Sequence, residues 1–216
     1  MRTWTSLPRH GRTPAQPASG YRVEDFAADV PLLLDALAIA NAVLVGHSGS
    51  CLVVRRVAID CPNRVAGLML EASPSTLVGD AGLMEFVGTV VSGLDEPIDP
   101  DFARSFVVDT SSEALGPALL DALVHDLLKV PARVWREMFE ALLQYDDRDE
   151  LAGVTVPTLL IWGDADPLVR LDAQADLLAR IPSATLVTYG GVGHTPRWED
   201  PERFAADVIA FVDRLR

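Results

Sequence analysis

The residues most able to do chemistry lie in Gly46-His47-Ser48-Gly49-Ser50. A serine hydroxyl is a weak nucleophile unless a base takes its proton and its geometry frees it from its own backbone. A sharp turn between a strand and a helix provides that freedom, and small residues two places before and after the serine make the turn sterically possible, which is the logic of G-x-S-x-G. Here the later small position is Ser50 instead of glycine, compatible with the turn at slightly greater crowding. A base and an acid must complete such a site. His194 follows the glycine-containing run Gly190-Gly191-Val192-Gly193, and Asp164 and Asp166 both follow Gly163, so either carboxylate could serve. His10 and His125 read as a loop residue and a partly exposed helix residue. No grouping of His, Cys, Asp and Glu has metal-ligand spacing. The glycines near His194 follow neither the dinucleotide nor the P-loop pattern, so neither a cofactor nor a metal is expected.

These residues need elements to hold them. Apolar positions Val23, Phe26, Val30, Leu33, Leu34 and Leu37 trace one face of a helix, with a kink or break expected at Pro31. Ala42 to Val45 is a short continuous apolar run that stops at Gly46, as for a strand buried on both faces of a parallel sheet. A helix over about 49–61 ends at Pro62, and Val65 to Leu70 reads as a second strand, giving a strand–helix–strand unit around Ser48. Residues 75–150 carry helical patterns, clearest over Leu115 to Leu128 and Val130 to Leu143, and no convincing strand. Alternation resumes with a strand over Val156 to Trp162, a helix over Leu171 to Ile181 and a strand over Ala184 to Tyr189. A last helix is expected with Asp200 as N-cap, Pro201 in its first turn, and Phe204, Val208, Phe211, Val212 and Leu215 on its apolar face. The expected fold class is therefore α/β, a mostly parallel sheet flanked by helices. Residues 1–74 and 151–216 would form the core and 75–150 a helical insertion over the carboxyl ends of the strands, where ligands bind in open α/β sheets.

With these elements placed, the sequence resembles the α/β-hydrolase superfamily in its cap-bearing, serine-nucleophile branch. Besides the elbow, Arg9-His10-Gly11-Arg12 resembles the end of the R-G-H-G-x-S stretch, Gly163-Asp164-Ala165-Asp166 the G-x-x-D stretch of the acid, and Gly191-Val192-Gly193-His194 the G-x-G-H stretch of the base. The resemblance implies a triad of Ser48, Asp166 and His194, in the chain order of that fold, with Asp164 a structural turn residue. It implies that His194 takes the Ser48 proton, that Asp166 orients the imidazole, and that the Gly49 N–H is one oxyanion donor. It also points to His47 near the pocket. Trp135, Met138, Phe139 and Leu142, at i, i+3, i+4 and i+7, read first as packing of one cap helix on its neighbours and second as an apolar substrate lining. Nothing in residues 1–41 reads as the several strands, or as the His-Gly loop supplying a second oxyanion donor, that precede the elbow in this fold. An N-terminally truncated fold is expected on that ground, with the elbow strand unpaired on one side and open to self-association through the sheet edge.

The bulk composition narrows the partners. The 216 residues carry a formal net charge of −13, which disfavours nucleic acid and anionic membrane surfaces. Hydrophobic residues at 49% and charged residues at 23% suit a globular chain with a sizeable core. No run approaches the roughly 20 apolar residues of a membrane span, and the polar start lacks the apolar core of a signal peptide. Cys51 and Cys61, ten residues apart on one helix, would sit ~15 Å apart, beyond the ~7 Å a disulfide allows. Free thiols suit a reducing, cytoplasmic location. The leading expectation is a hydrolase of a small ester or related acyl substrate working through an acyl-serine. The alternatives are a slow or non-catalytic ligand-binding or signalling member of the same fold, or an inactive remnant; Ser48 argues against dehalogenase chemistry, which uses an Asp nucleophile.

Overall fold

The computed structural model describes residues 20–111 and 115–215. Four parallel strands, β1 (Ala42–His47), β2 (Val65–Glu71), β3 (Thr158–Gly163) and β4 (Ala184–Tyr189), lie side by side in sequence order. The expected strands appear with small changes of bounds: β1 runs on to His47, and β3 starts at Thr158 instead of Val156. The Arg9 to Arg12 stretch lies outside the described residues.

The two inner strands are apolar on both faces because helices cover both. Leu68 and Leu70 of β2 and Leu160 of β3 join a core built with α1 (Val23–Ala36), α2 (Ser50–Asp60) and α7 (Leu171–Arg180). The alternate residues Met69, Leu159 and Ile161 join Phe211 of α9 (Pro201–Asp213) on the other face. This period-two division is what a pleated strand between two helical layers requires. The helix α9 starts as its sequence directs, with the Asp200 carboxylate accepting from Arg203 N. The helix α1 runs through Pro31 without a break, so of the kink or break expected there the break is absent. A short helix, α8 (Pro196–Glu199), was not anticipated.

Between β2 and β3 lie α3 (Ala81–Thr89), α4 (Pro100–Val108), α5 (Pro117–Leu127) and α6 (Ala132–Leu142), and no strand among the described residues. The chain leaves and re-enters the sheet at points joined by one buried cation. Arg55 of α2, with no solvent exposure, donates to Asp147 Oδ2 (3.0 Å), and also to Pro74 O (2.8 Å) and Ser75 O (3.1 Å) on the outgoing segment. Arg55 and Asp147 form a buried ion pair, and the Tyr145 hydroxyl adds a 3.4 Å bond to the same carboxylate. Among the described residues β1 is an edge strand, with Val45 half exposed at 50%. Both cysteines are free thiols, and burial pushes the Cys51 thiol up to about 12.

Candidate active site

The site forms at the carboxyl ends of the strands. After His47 the chain turns so tightly that Ser48 takes φ +53°, a left-handed conformation that non-glycine residues adopt at a cost. The turn is held on both sides. Ser48 N donates to Glu71 O at 2.9 Å, and the Ser50 hydroxyl accepts from His47 N and donates to His47 O, both at 2.8 Å. Ser50 therefore staples the elbow with an exposed side chain, where only crowding had been expected of it. Gly46 is needed because a Cβ there would stand 2.8 Å from Cys51 Cα. Gly49 caps the N-terminus of α2, and among the described residues neither its N–H nor the Ser48 hydroxyl has a hydrogen-bond partner. Helix N-termini leave such donors free and favour negative charge.

The strand β3 ends in Gly163, and the loop beyond it carries Asp166. The Asp166 carboxylate has no exposed surface; Oδ1 accepts from Leu168 N (2.8 Å) and Val169 N (3.0 Å). Its Oδ2 lies 2.8 Å from His194 Nδ1. A carboxylate oxygen accepts, so Nδ1 carries the proton, and in the neutral imidazole Nε2 then keeps its lone pair. Asp164 points elsewhere and accepts from Gly191 N at 2.6 Å, bracing the His loop. The two loops touch directly, since a Cβ on Gly163 would overlap the carbonyl oxygens of Val192 and Gly193.

The His loop is held along its length. Gly193 N (2.9 Å) and Thr195 N (3.1 Å) donate to Glu199, and His194 N donates to Thr110 O at 3.1 Å. The side chains of Ser111 and Thr195 share a 3.0 Å bond, so the segment after α4 reaches the loop. Arg197 gives its N–H to Glu71 Oε1 (2.8 Å) and its guanidinium to Glu71 Oε2 (2.7 Å). Burial raises the Glu71 carboxyl above the usual carboxylate range, and Arg197 pulls in the opposite direction.

His47 bridges the elbow and this loop. Its Nε2 is 2.9 Å from His194 O, and the two rings are centred 4.8 Å apart. Burial holds the His47 imidazole well below the ordinary value, aided by the neighbouring Arg197 and His194.

The structure brings Asp166 and His194 into contact and sets Ser48 one residue beyond His47, at the same carboxyl end of the sheet. It does not close a Ser48–His194 hydrogen bond. Trp135 and Phe139 are buried against each other and against Phe86, Phe102 and Phe106, with centroid spacings from 4.9 to 6.3 Å. Met138 is half-buried beside that core, and neither aromatic ring meets His47 or His194. Leu142 is the residue of that stripe that reaches the elbow: its Cδ1 is 3.0 Å from where a Gly49 Cβ would stand. Sequence reasoning missed Glu71 and Arg197. The available signal was a lone carboxylate closing the apolar run of β2 at its carboxyl end. Among the described residues no cluster of His, Cys, Asp and Glu could hold a metal ion, and no helix is long and apolar enough to cross a membrane.

A four-stranded parallel sheet with a strained serine elbow and an Asp–His pair at one end defines a class. The sequence matches the family described as the Alpha/beta hydrolase family over residues 2–207. It is 30% identical to a non-heme chloroperoxidase from Burkholderia pyrrocinia, across 94% of this chain and 78% of that protein. It is 28% identical to 3-oxoadipate enol-lactonase 2 from Acinetobacter baylyi, across 95% of this chain and 76% of that protein. An esterase from Exiguobacterium antarcticum superposes with a TM-score of 0.85 at 18% identity, over 96% of this chain and 79% of that one, which speaks to the fold alone. The chain belongs to the alpha/beta hydrolase family.

Proposed function

We propose that this chain hydrolyses a small ester or related acyl compound through an acyl-Ser48 intermediate. The observation that carries the reading is the 2.8 Å contact between His194 Nδ1 and a buried Asp166 carboxylate, beside a serine held in a strained turn. Ser48 Oγ attacks the acyl carbon while His194 Nε2 takes its proton. Asp166 keeps the imidazole in the tautomer this needs and stabilises the imidazolium. The free N–H of Gly49 donates to the developing oxyanion. His194 then passes the proton to the leaving alcohol. Water attacks the acyl-serine, giving its proton to His194, and the acid is released as Ser48 recovers its hydrogen. The helices between β2 and β3 act as a cap. Their links to the His loop through Thr110 and Ser111, and to the elbow through Leu142, support that role.

The relatives named for lactone and haloperoxidase activity share this fold, and an acyl-serine can be opened by water or by another small nucleophile. A test is the pre-steady-state release of p-nitrophenol from p-nitrophenyl acetate. One equivalent per chain should appear as a burst in the wild-type protein, and none with Ser48→Ala. A burst that survives Ser48→Ala would refute the acyl-Ser48 intermediate.

A further inference from the structure

We propose that His47 is a positioning residue for the base, holding His194 through its main-chain carbonyl. The inference deepens the hydrolase reading and rests on His194 as the base. A carbonyl oxygen can only accept, so the 2.9 Å contact to His194 O requires a proton on His47 Nε2. The bond spans 147 residues of sequence and ties the strand that presents the nucleophile to the loop that presents the base.

The donor is itself well anchored. His47 pairs with Glu71 in the sheet register, and its main-chain N–H and C=O are both engaged by the Ser50 hydroxyl. The Trp198 ring flanks it at 6.4 Å and Arg197 stacks on that ring at 3.9 Å. The charged and titratable groups that face it are Glu71 from β2, Arg197 from α8 and His194 from the loop. Burial disfavours a cation at His47, and Arg197 and His194 disfavour it further. A neutral His47 donates its hydrogen bond without placing a second positive charge beside the imidazolium that forms on His194. A lysine would supply the bond but not the neutrality, and a leucine the volume but not the bond.

The bond acts on the backbone of His194, so its loss should let the imidazole drift relative to Ser48. Misplacement of about 1 Å costs on the order of 10²-fold in a catalytic step. The test compares His47→Leu with His47→Gln, whose amide N–H can reach the same acceptor. In ester hydrolysis, kcat of His47→Leu should fall by roughly 10- to 100-fold with KM little changed, and His47→Gln should recover most of the loss. Thermal unfolding of both variants, followed in parallel, separates a folding defect from lost positioning. Equal kcat in the wild type and His47→Leu, or an equal loss in both variants, would overturn the proposal. A second readout needs no turnover: the downfield Nδ1–H proton of His194 in the NMR spectrum, assigned by its disappearance in His194→Gln. It should persist in His47→Gln and broaden away in His47→Leu; if it is unchanged in both, His47 does not position the base. A wild type that shows no burst but gives the expected NMR pattern would sink the acyl-serine reading alone.

Discussion

Single residues decide the chemistry by what each is forbidden to do. Ser48 is forbidden a relaxed backbone, Asp166 is forbidden solvent, and burial disfavours a charge on His47. The last restriction has a consequence for stability. The folded-state value of His47 lies below the ordinary histidine value of 6.5, so between the two the unfolded chain binds more protons. Stability then rises with pH across that window, and is lost as the pH falls below about 6.5. Glu71 works oppositely: its raised folded value favours the protonated form, a contribution lost as pH rises above the usual carboxylate value of 4.5. Urea unfolding of the wild type and His47→Gln at pH 7.5 and pH 5.5 should show a larger acid loss in the wild type. Because Glu71 is common to both proteins, the difference reports His47; equal losses would show that His47 titrates alike in the folded and unfolded chain.

Elements are joined by pairs that no local pattern announces. Arg55 and Asp147 are 92 residues apart and wholly buried, and they meet where the helical segment leaves and re-enters the sheet. Removing one partner strands the other charge, at a typical cost of about 3–5 kcal/mol, whereas replacing both by apolar residues of similar size is often near neutral. Arg55→Met should therefore destabilise the protein by about 3–5 kcal/mol in urea unfolding, and Arg55→Met with Asp147→Leu should restore most of that. A double variant no better than the single would mean that the bonds from Arg55 to Pro74 O and Ser75 O, and not the ion pair, carry the stability.

This is also the scale at which the sequence becomes hard to read. The elbow, the strands and the final helix were legible because each is encoded within a dozen residues, by apolar runs, Gly46 and Gly163, and the Asp200–Pro201 cap. The pairing of Asp166 rather than Asp164 with His194 was legible only through resemblance, since both carboxylates follow the same strand. Glu71–Arg197 and Arg55–Asp147 were not legible, because spacings of 126 and 92 residues carry no periodic signal. The absence of a break at Pro31 has a related reason. Packing of Phe26, Ala27, Val30 and Leu34 on the core outweighs the one hydrogen bond that proline removes.

At the scale of the whole molecule, the site exists only when three distant segments converge: the end of β1, the loop after β3 and the loop after β4. The helical segment between β2 and β3 adds its own contacts through Thr110, Ser111 and Leu142, so an assembled site reports on the folded chain as a unit. The most direct measurement is covalent labelling with a serine-directed fluorophosphonate, read by intact mass and peptide mapping, for the wild type, Ser48→Ala and His194→Gln. The account predicts a single adduct on the peptide containing Ser48 in the wild type, no adduct in Ser48→Ala, and labelling slowed by at least about 100-fold in His194→Gln, the order of a lost general base. An adduct on another serine, or labelling of Ser48 at an unchanged rate without His194, would contradict it.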